Sequence, residues 1–169
     1  GSWSADTITE EYDYLTRMMG LSTMLTARAG KANLTLGLDA RDDTLETGMI
    51  STQSAATAWG AASSNIGLWT EIAVRLSSTI SATSSVRYDH NSAFGGFLSP
   101  GFGIVAELTP AFQIKFSAGK TFRAPGFNDL YWPQSGNPEL KPEHGWAYEL
   151  RGESSWRPGL FVALSIFQR

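Results

Sequence analysis

FQIKFSAGKTFRAPGFNDLYWPQSGNPELKPEHGWAYELRGESSW, residues Phe112 to Trp156, carries two alternating runs around a loop rich in Pro, Gly, Asn and aromatics. In the first run Phe112, Ile114, Phe116, Ala118 and Phe122 fall on one side, and Gln113, Lys115, Ser117, Thr121 and Arg123 on the other. In the second, Trp146, Tyr148, Leu150, Gly152 and Trp156 oppose Glu149, Arg151 and Glu153. A period of two means β-strand, because successive side chains of a strand point to opposite faces of the sheet. Aromatics stand at both ends of each apolar side, and the polar sides mix charge with small residues. That combination predicts a pair of membrane-crossing strands.

Outward from this stretch the same period recurs. Alternation runs from Tyr14 to Arg28, and then from Asn33 to Arg41, where Leu34, Leu36, Leu38 and Ala40 oppose Asn33, Thr35, Gly37, Asp39 and Arg41. It resumes at Asn65–Leu76, Ile80–Asp89, Phe102–Leu108 and Leu160–Arg169. Short turns fall near 29–31, 77–78, 109–111 and 157–159; longer connections fall at 42–63, 90–96 and 124–145. Short and long alternate, which is the meander of an outer-membrane barrel with turns on the periplasmic side and loops outside. The expected fold is all-β: an antiparallel up-and-down transmembrane β-barrel of eight strands, four short turns and three longer loops. It is one domain over 1–169, with 1–13 as lead-in and 42–63 and 124–145 as the long extracellular loops.

Composition removes other classes. The 169 residues contain no cysteine, so disulfides, thiolate metal sites and cysteine nucleophiles are excluded. A net charge of −3 offers no basic field for nucleic acid. No apolar run reaches the roughly 18 residues of a transmembrane helix, a test that is blind to strands needing only about ten. A soluble barrel would show the same period with the apolar face inward. Aromatics at the ends of the apolar faces and both charge signs on the polar faces favour the membrane form. On that reading Glu71, Arg75, Arg87, Asp89, Glu107, Lys115, Glu149, Arg151 and Glu153 face the lumen. Eight strands can close with an interior just wide enough for side chains. Closure would remove both sheet edges and force these charges to pair as a packed core.

The motif residues carry a family resemblance. Gly119-Lys120-Thr121-Phe122-Arg123-Ala124-Pro125, then Asn128-Asp129-Leu130-Tyr131, then Gly136-Asn137-Pro138-Glu139-Leu140-Lys141-Pro142-Glu143 resemble the signature of TonB-dependent outer-membrane receptors. Tyr148-Glu149-Leu150 resembles the strand that follows it there, with Arg151 where the family often has Gly. The resemblance implies the bacterial outer membrane and a parent that takes up a siderophore or cobalamin. It implies that this chain is an internal barrel segment, without the plug, and by itself a non-transporting scaffold. Expected partners are outer-membrane lipid and lipopolysaccharide; the coupling protein and the ligand belong to the full-length parent. Neither an enzymatic activity nor a cofactor is implied. Within the motif, Pro125 stops the ladder, Asn137-Pro138 and Lys141-Pro142 set turns, and Arg123 and Glu143 are placed to pair. Phe122, Arg123, Ala124, Pro125, Leu130, Tyr131, Gly136, Asn137, Pro138, Leu140, Lys141, Pro142 and Glu143 are thus expected to stiffen the rim.

Other chemistry is thinner. Asp89-His90 and Glu143-His144 are adjacent pairs whose side chains diverge on a strand, which does not suit a metal. His90 with Ser92 and Asp89 is the one set resembling the rim triad of a lipid-modifying barrel enzyme. Glu149 and Glu153 flank Arg151, which suits a charge ladder better than an acid–base pair. Trp59 lies in a different connection from Tyr131 and Trp132, which gives an aromatic ligand cage little support; Tyr131 and Trp132 suit a headgroup-level girdle better than ligand contact. The alternative to a receptor segment is a self-sufficient small barrel with a structural or adhesive role.

Overall fold

The computed structural model describes residues 10–51, 57–132, 135–157 and 159–169. In chain order the elements are β1 (Glu10–Ala29), β2 (Ala32–Ser51), β3 (Thr57–Arg75), β4 (Ile80–Asn91), β5 (Gly95–Thr109), β6 (Phe112–Arg123), α1 (Phe127–Tyr131), β7 (Glu143–Arg157) and β8 (Leu160–Gln168). The strands form one antiparallel sheet in sequence order, β1 to β8. Eight strands in an up-and-down meander are as the alternation predicts. Glycines make the tightest turns: Gly30 and Gly159 have φ of +58° and +87°, which a side chain would disfavour.

Register sorts most side chains along the middle of the sheet, with Thr23 and Ser84 among the apolar residues and Met24 and Val105 among the polar ones as exceptions. Leu25 pairs with Leu36, Leu38 with Leu68, Leu68 with Tyr88, Tyr88 with Leu98, Phe116 with Leu150, and Leu150 with Ile166. One face is therefore apolar from edge to edge, and it is open: Leu21 and Leu164 are each 71% exposed. Only Leu45 and Leu130 are buried among the described hydrophobic residues. A water-soluble sheet would bury its apolar face; a sheet in lipid turns it outward, because the bilayer takes the place of the core.

Five expectations need correction. The stretch 42–63 is not a loop: β2 runs to Ser51 and β3 starts at Thr57. Its alternation is hidden because Ala, Ser, Thr and Gly differ little in hydropathy, while ladder hydrogen bonds need only backbone. The lead-in 1–13 likewise gives way to β1 at Glu10, residues 1–9 lying outside the described residues. The 90–96 connection shrinks to residues 92–94, so that 124–142 is the one long connection among the described residues, and it carries the unpredicted helix α1. Finally, the sheet is not closed. β1 and β8 are its two edges. The polar face is not a packed core either, since the Lys115 and Arg151 side chains remain about 40% exposed.

Strand lengths divide the sheet by height. β1 and β2 have twenty residues each and β3 nineteen, against twelve in β4 and β6. Twenty residues span about 65 Å, or near 45 Å if tilted by 45°, which exceeds the ~25 Å apolar band of an outer-membrane barrel. β4 ends opposite Asn65, where Asn91 pairs with it. Residues 57–64 and 42–51 therefore rise as a ribbon above the β4–β5 hairpin.

Candidate functional site

Among the described residues the polar face holds two ion clusters, besides the exposed Arg41–Asp43 pair of β2 at 2.7 Å. Towards the loop end, Arg87 of β4 reaches in two directions. Its Nε and Nη2 donate to the Asp89 carboxylate at 2.6 and 2.7 Å, and its Nη1 donates to Asp39 of β2 at 2.5 Å. β3 lies between those strands, and at that level it presents Gly67, in one cross-strand row with Asp39 and Asp89. A Cβ on Gly67 would stand 2.3 Å from Arg87 Nη2 and 2.6 Å from Asp89 Oδ1. The missing side chain is thus the passage through which the guanidinium crosses a whole strand. Asn65 donates to Asp89 at 2.9 Å, and the Ser22 hydroxyl donates to Asp39. Asp89 is buried, and both of its side-chain hydrogen-bond partners, Arg87 and Asn65, donate to it. One position further along, the Trp69 ring occupies the space over Gly37, where a Cβ would come within 2.1 Å of it.

The second cluster sits towards the turn end. Glu153 of β7, 7% exposed, accepts from Lys115 Nζ at 2.8 Å, Arg151 Nε at 2.7 Å and Gln113 Nε2 at 2.6 Å. Register explains the convergence: Gln113 lies opposite Glu153 and Lys115 opposite Arg151, so four polar side chains share one face.

By register the nine charges expected to face the lumen lie on one face of the open sheet. Of these, Arg87, Asp89, Lys115, Arg151 and Glu153 are brought into the two clusters, whereas Glu71, Arg75, Glu107 and Glu149 make no ion pair among the described residues. Sequence reasoning missed Asp39 as a partner. It lies 48 residues from Arg87 and two strands away, and the only signal was its place on the polar side of β2.

The motif folds into a compact connection. Gly126 precedes α1, and its N–H donates to Asp129 Oδ2 at 2.8 Å. The N–H of Gly136 donates to the Trp132 carbonyl at 2.7 Å, and that of Asn137 to the Asp129 carbonyl at 2.8 Å. A Cβ on Gly136 would lie 2.5–2.8 Å from backbone atoms of Leu130, Tyr131 and Trp132, which fixes glycine there. The Asn137 side chain accepts from the Glu139 N–H at 2.9 Å across Pro138, an Asx-turn. Leu130 is 5% exposed and anchors the helix. Arg123 and Glu143 face each other in register at 3.8 Å, largely exposed, so their pairing contributes at most about 1 kcal/mol. Phe122 stacks on Phe97 and neighbours Phe94 and His144.

The enzyme-like set does not assemble. Asp89 is held by Arg87 on the polar face, His90 is the next residue of the same strand and lies on the opposite face, and Ser92 accepts from the Ser64 N–H at 3.0 Å. The aromatics of the two connections do come together at one point. Trp59 and Trp132 meet edge to face, ring centroids 6.3 Å apart, although they come from different connections. On the apolar face Trp146 and Tyr148 stack at 6.3 Å.

A sheet with one exposed apolar face, the two ion clusters on its other face and the compact connection after β6 converge with the comparisons. A family model described as TonB dependent receptor-like, beta-barrel matches residues 2–169. The chain belongs to that family. TonB-dependent receptor barrels lie in the outer membrane of Gram-negative bacteria, and that is this chain's location. The chain is 40% identical over 91 residues to a vitamin B12 transporter, BtuB of Vibrio vulnificus, covering 53% of this chain and 14% of the transporter. Its fold is similar to that of a variant of the ferric enterobactin receptor PfeA from Pseudomonas aeruginosa, with a TM-score of 0.75 at 22% identity, over 91% of this chain and 26% of the receptor. The siderophore receptor PirA of Pseudomonas aeruginosa gives 0.75 at 24%, over 91% and 31%. The chain thus spans about a seventh of that transporter and a quarter to a third of those TonB-dependent receptors. These relatives are transporters and receptors, not enzymes.

Proposed function

We propose that this chain is a section of barrel wall in a TonB-dependent receptor that imports a cobalamin- or siderophore-type ligand, and that by itself it is a non-transporting scaffold. The observation that carries the reading is the two-sidedness of the sheet. One face is apolar across all eight strands, and the other carries Asp39–Arg87–Asp89 and Lys115–Glu153–Arg151. A lipid-facing wall with an ion-paired inner surface meets both requirements of a barrel around a polar interior. Glu71, Arg75, Glu107 and Glu149, unpaired within the sheet, are then free to meet whatever fills that interior. Cobalamin is the favoured ligand class because the sequence likeness to a vitamin B12 transporter exceeds that to the siderophore receptors. The motif from Phe122 to Glu143 stiffens the rim rather than touching ligand. Trp146 and Tyr148 stand at headgroup level against outer-membrane lipid or lipopolysaccharide. Ligand and the energy-coupling protein engage the full-length receptor. The open edges of β1 and β8 weigh against a self-sufficient small barrel.

The test is uptake of labelled cyanocobalamin by cells lacking their own cobalamin receptor. The full-length protein restores saturable uptake, and the 169-residue chain alone does not. Uptake of a ferric chelate but not cobalamin by the full-length protein would change the ligand class. Uptake through the isolated chain would overturn the scaffold reading.

A further inference from the structure

The apolar face carries one fixed charge towards its loop end. From β3 to β8, over the loop-end half of that face, Lys120 of β6 is the one Lys, Arg, Asp or Glu among the described residues. It stands three residues below the loop end of its strand, about 10 Å down. Register sets it opposite Trp146, with His144 and Tyr148 on its diagonals. Those three side chains offer N–H and O–H donors and no carboxylate. Trp146 and Tyr148 stack on each other, and both are exposed. Lys120 makes no ion pair among the described residues, whereas Lys115, five positions earlier on the polar face, pairs with Glu153.

We propose that Lys120 is the contact point for a phosphate group of an outer-leaflet glycolipid, held beside the Trp146–Tyr148 stack. The proposal rests on the outward placement of this face in the outer membrane and names what meets it there. A lysine on a lipid-facing strand costs most at the bilayer midplane and little at the interface. The aromatic pair marks the interface. From that level the lysine stem can lay its methylenes along the rings while the ammonium reaches the headgroups. The ammonium needs an anion there, and the loop-end half of this face supplies none among the described residues of β3 to β8. The outer leaflet does, as phosphate esters on a sugar headgroup. A compact ammonium suits phosphate as a point charge. The donors at 144, 146 and 148 leave the site without a negative group that would repel it.

The test is titration of the full-length receptor, in neutral detergent micelles, with diphosphoryl lipid A, occupancy being read by native mass spectrometry. Lys120→Gln should raise the apparent Kd about fivefold, as expected for one cation lost at an anionic lipid surface. Lys120→Arg should stay near the parent value, and so should Lys31→Gln, in the β1–β2 turn at the opposite end of the sheet. Lipid A stripped of its phosphates should bind the parent as weakly as diphosphoryl lipid A binds Lys120→Gln. Equal Kd in the parent and Lys120→Gln would overturn the site. An equal loss in Lys31→Gln would overturn it too, since the attraction would then be diffuse. Displacement of lipid A by millimolar inorganic phosphate would assign the site to the free anion and overturn the lipid source. Absence of lipid A binding in every form would overturn the outward placement of the face, a failure distinct from an equal Kd. The imported ligand plays no part in the readout.

Discussion

Gly67 shows how much one absent side chain can do. It lets Arg87 bridge carboxylates on β2 and β4 across β3, so three strands share one ionic tie. Gly67→Val should expel the guanidinium and leave Asp89 buried beside too few donors. Because Arg87 is more than a third exposed, the expected loss is about 1–2 kcal/mol rather than the larger figure for a fully buried pair. The measurement is urea unfolding of the protein in lipid vesicles, with Gly60→Val, in the projecting ribbon, as comparison. Gly136→Ala is the second residue test. Its Cβ would meet rigid backbone at 2.5–2.8 Å, so the connection must open, at about 1–3 kcal/mol of local strain. In the full-length protein, protease cleavage within 124–142 should rise severalfold while the heat-modifiable gel shift of its barrel is retained. The sequence displays both glycines, but not their roles. A Gly on a polar face reads as filler until the register places an arginine over it.

At the scale of the element, the period of two was enough to find eight strands and to put the nine charges on one face, because the pleat is enforced by backbone geometry. It failed where side chains are small. In Thr57–Ser64 the two faces differ too little in hydropathy to register, yet the backbone of β2 continues to pair, Thr47 with Trp59 and Leu45 with Ala61. It failed again at Phe127–Tyr131, a helix too short to show a 3.6 period. The faces themselves make a prediction. Leu36 sits mid-way along the apolar part of β2, and Leu36→Arg should destabilise by about 2–4 kcal/mol in a bilayer. Thr83→Arg, on the polar face of β4, should stay within about 1 kcal/mol. Equal penalties in vesicle unfolding experiments would mean that the apolar face does not meet lipid.

For the whole molecule, the number of strands was legible and closure was not. Eight is a permitted barrel size, and no local pattern records whether the last strand bends round to the first; that depends on shear and curvature summed over the sheet. The edges left at β1 and β8 carry unpaired backbone groups, which a bilayer penalises at several kcal/mol each. The 169-residue chain refolded alone in detergent should therefore associate through those edges, giving a concentration-dependent mass in light scattering, and a strictly monomeric species would contradict this. The two edges are also unequal in grip. β1 is paired along all twenty of its residues, whereas β8 holds β7 through nine positions. Under a mechanical load applied across the strands, a ladder opens rung by rung, and the short one gives way first. Force from the C-terminal end should peel the sheet as successive hairpins, while the tall β1–β2 ribbon resists longest and acts as the keel on which the rest is hung.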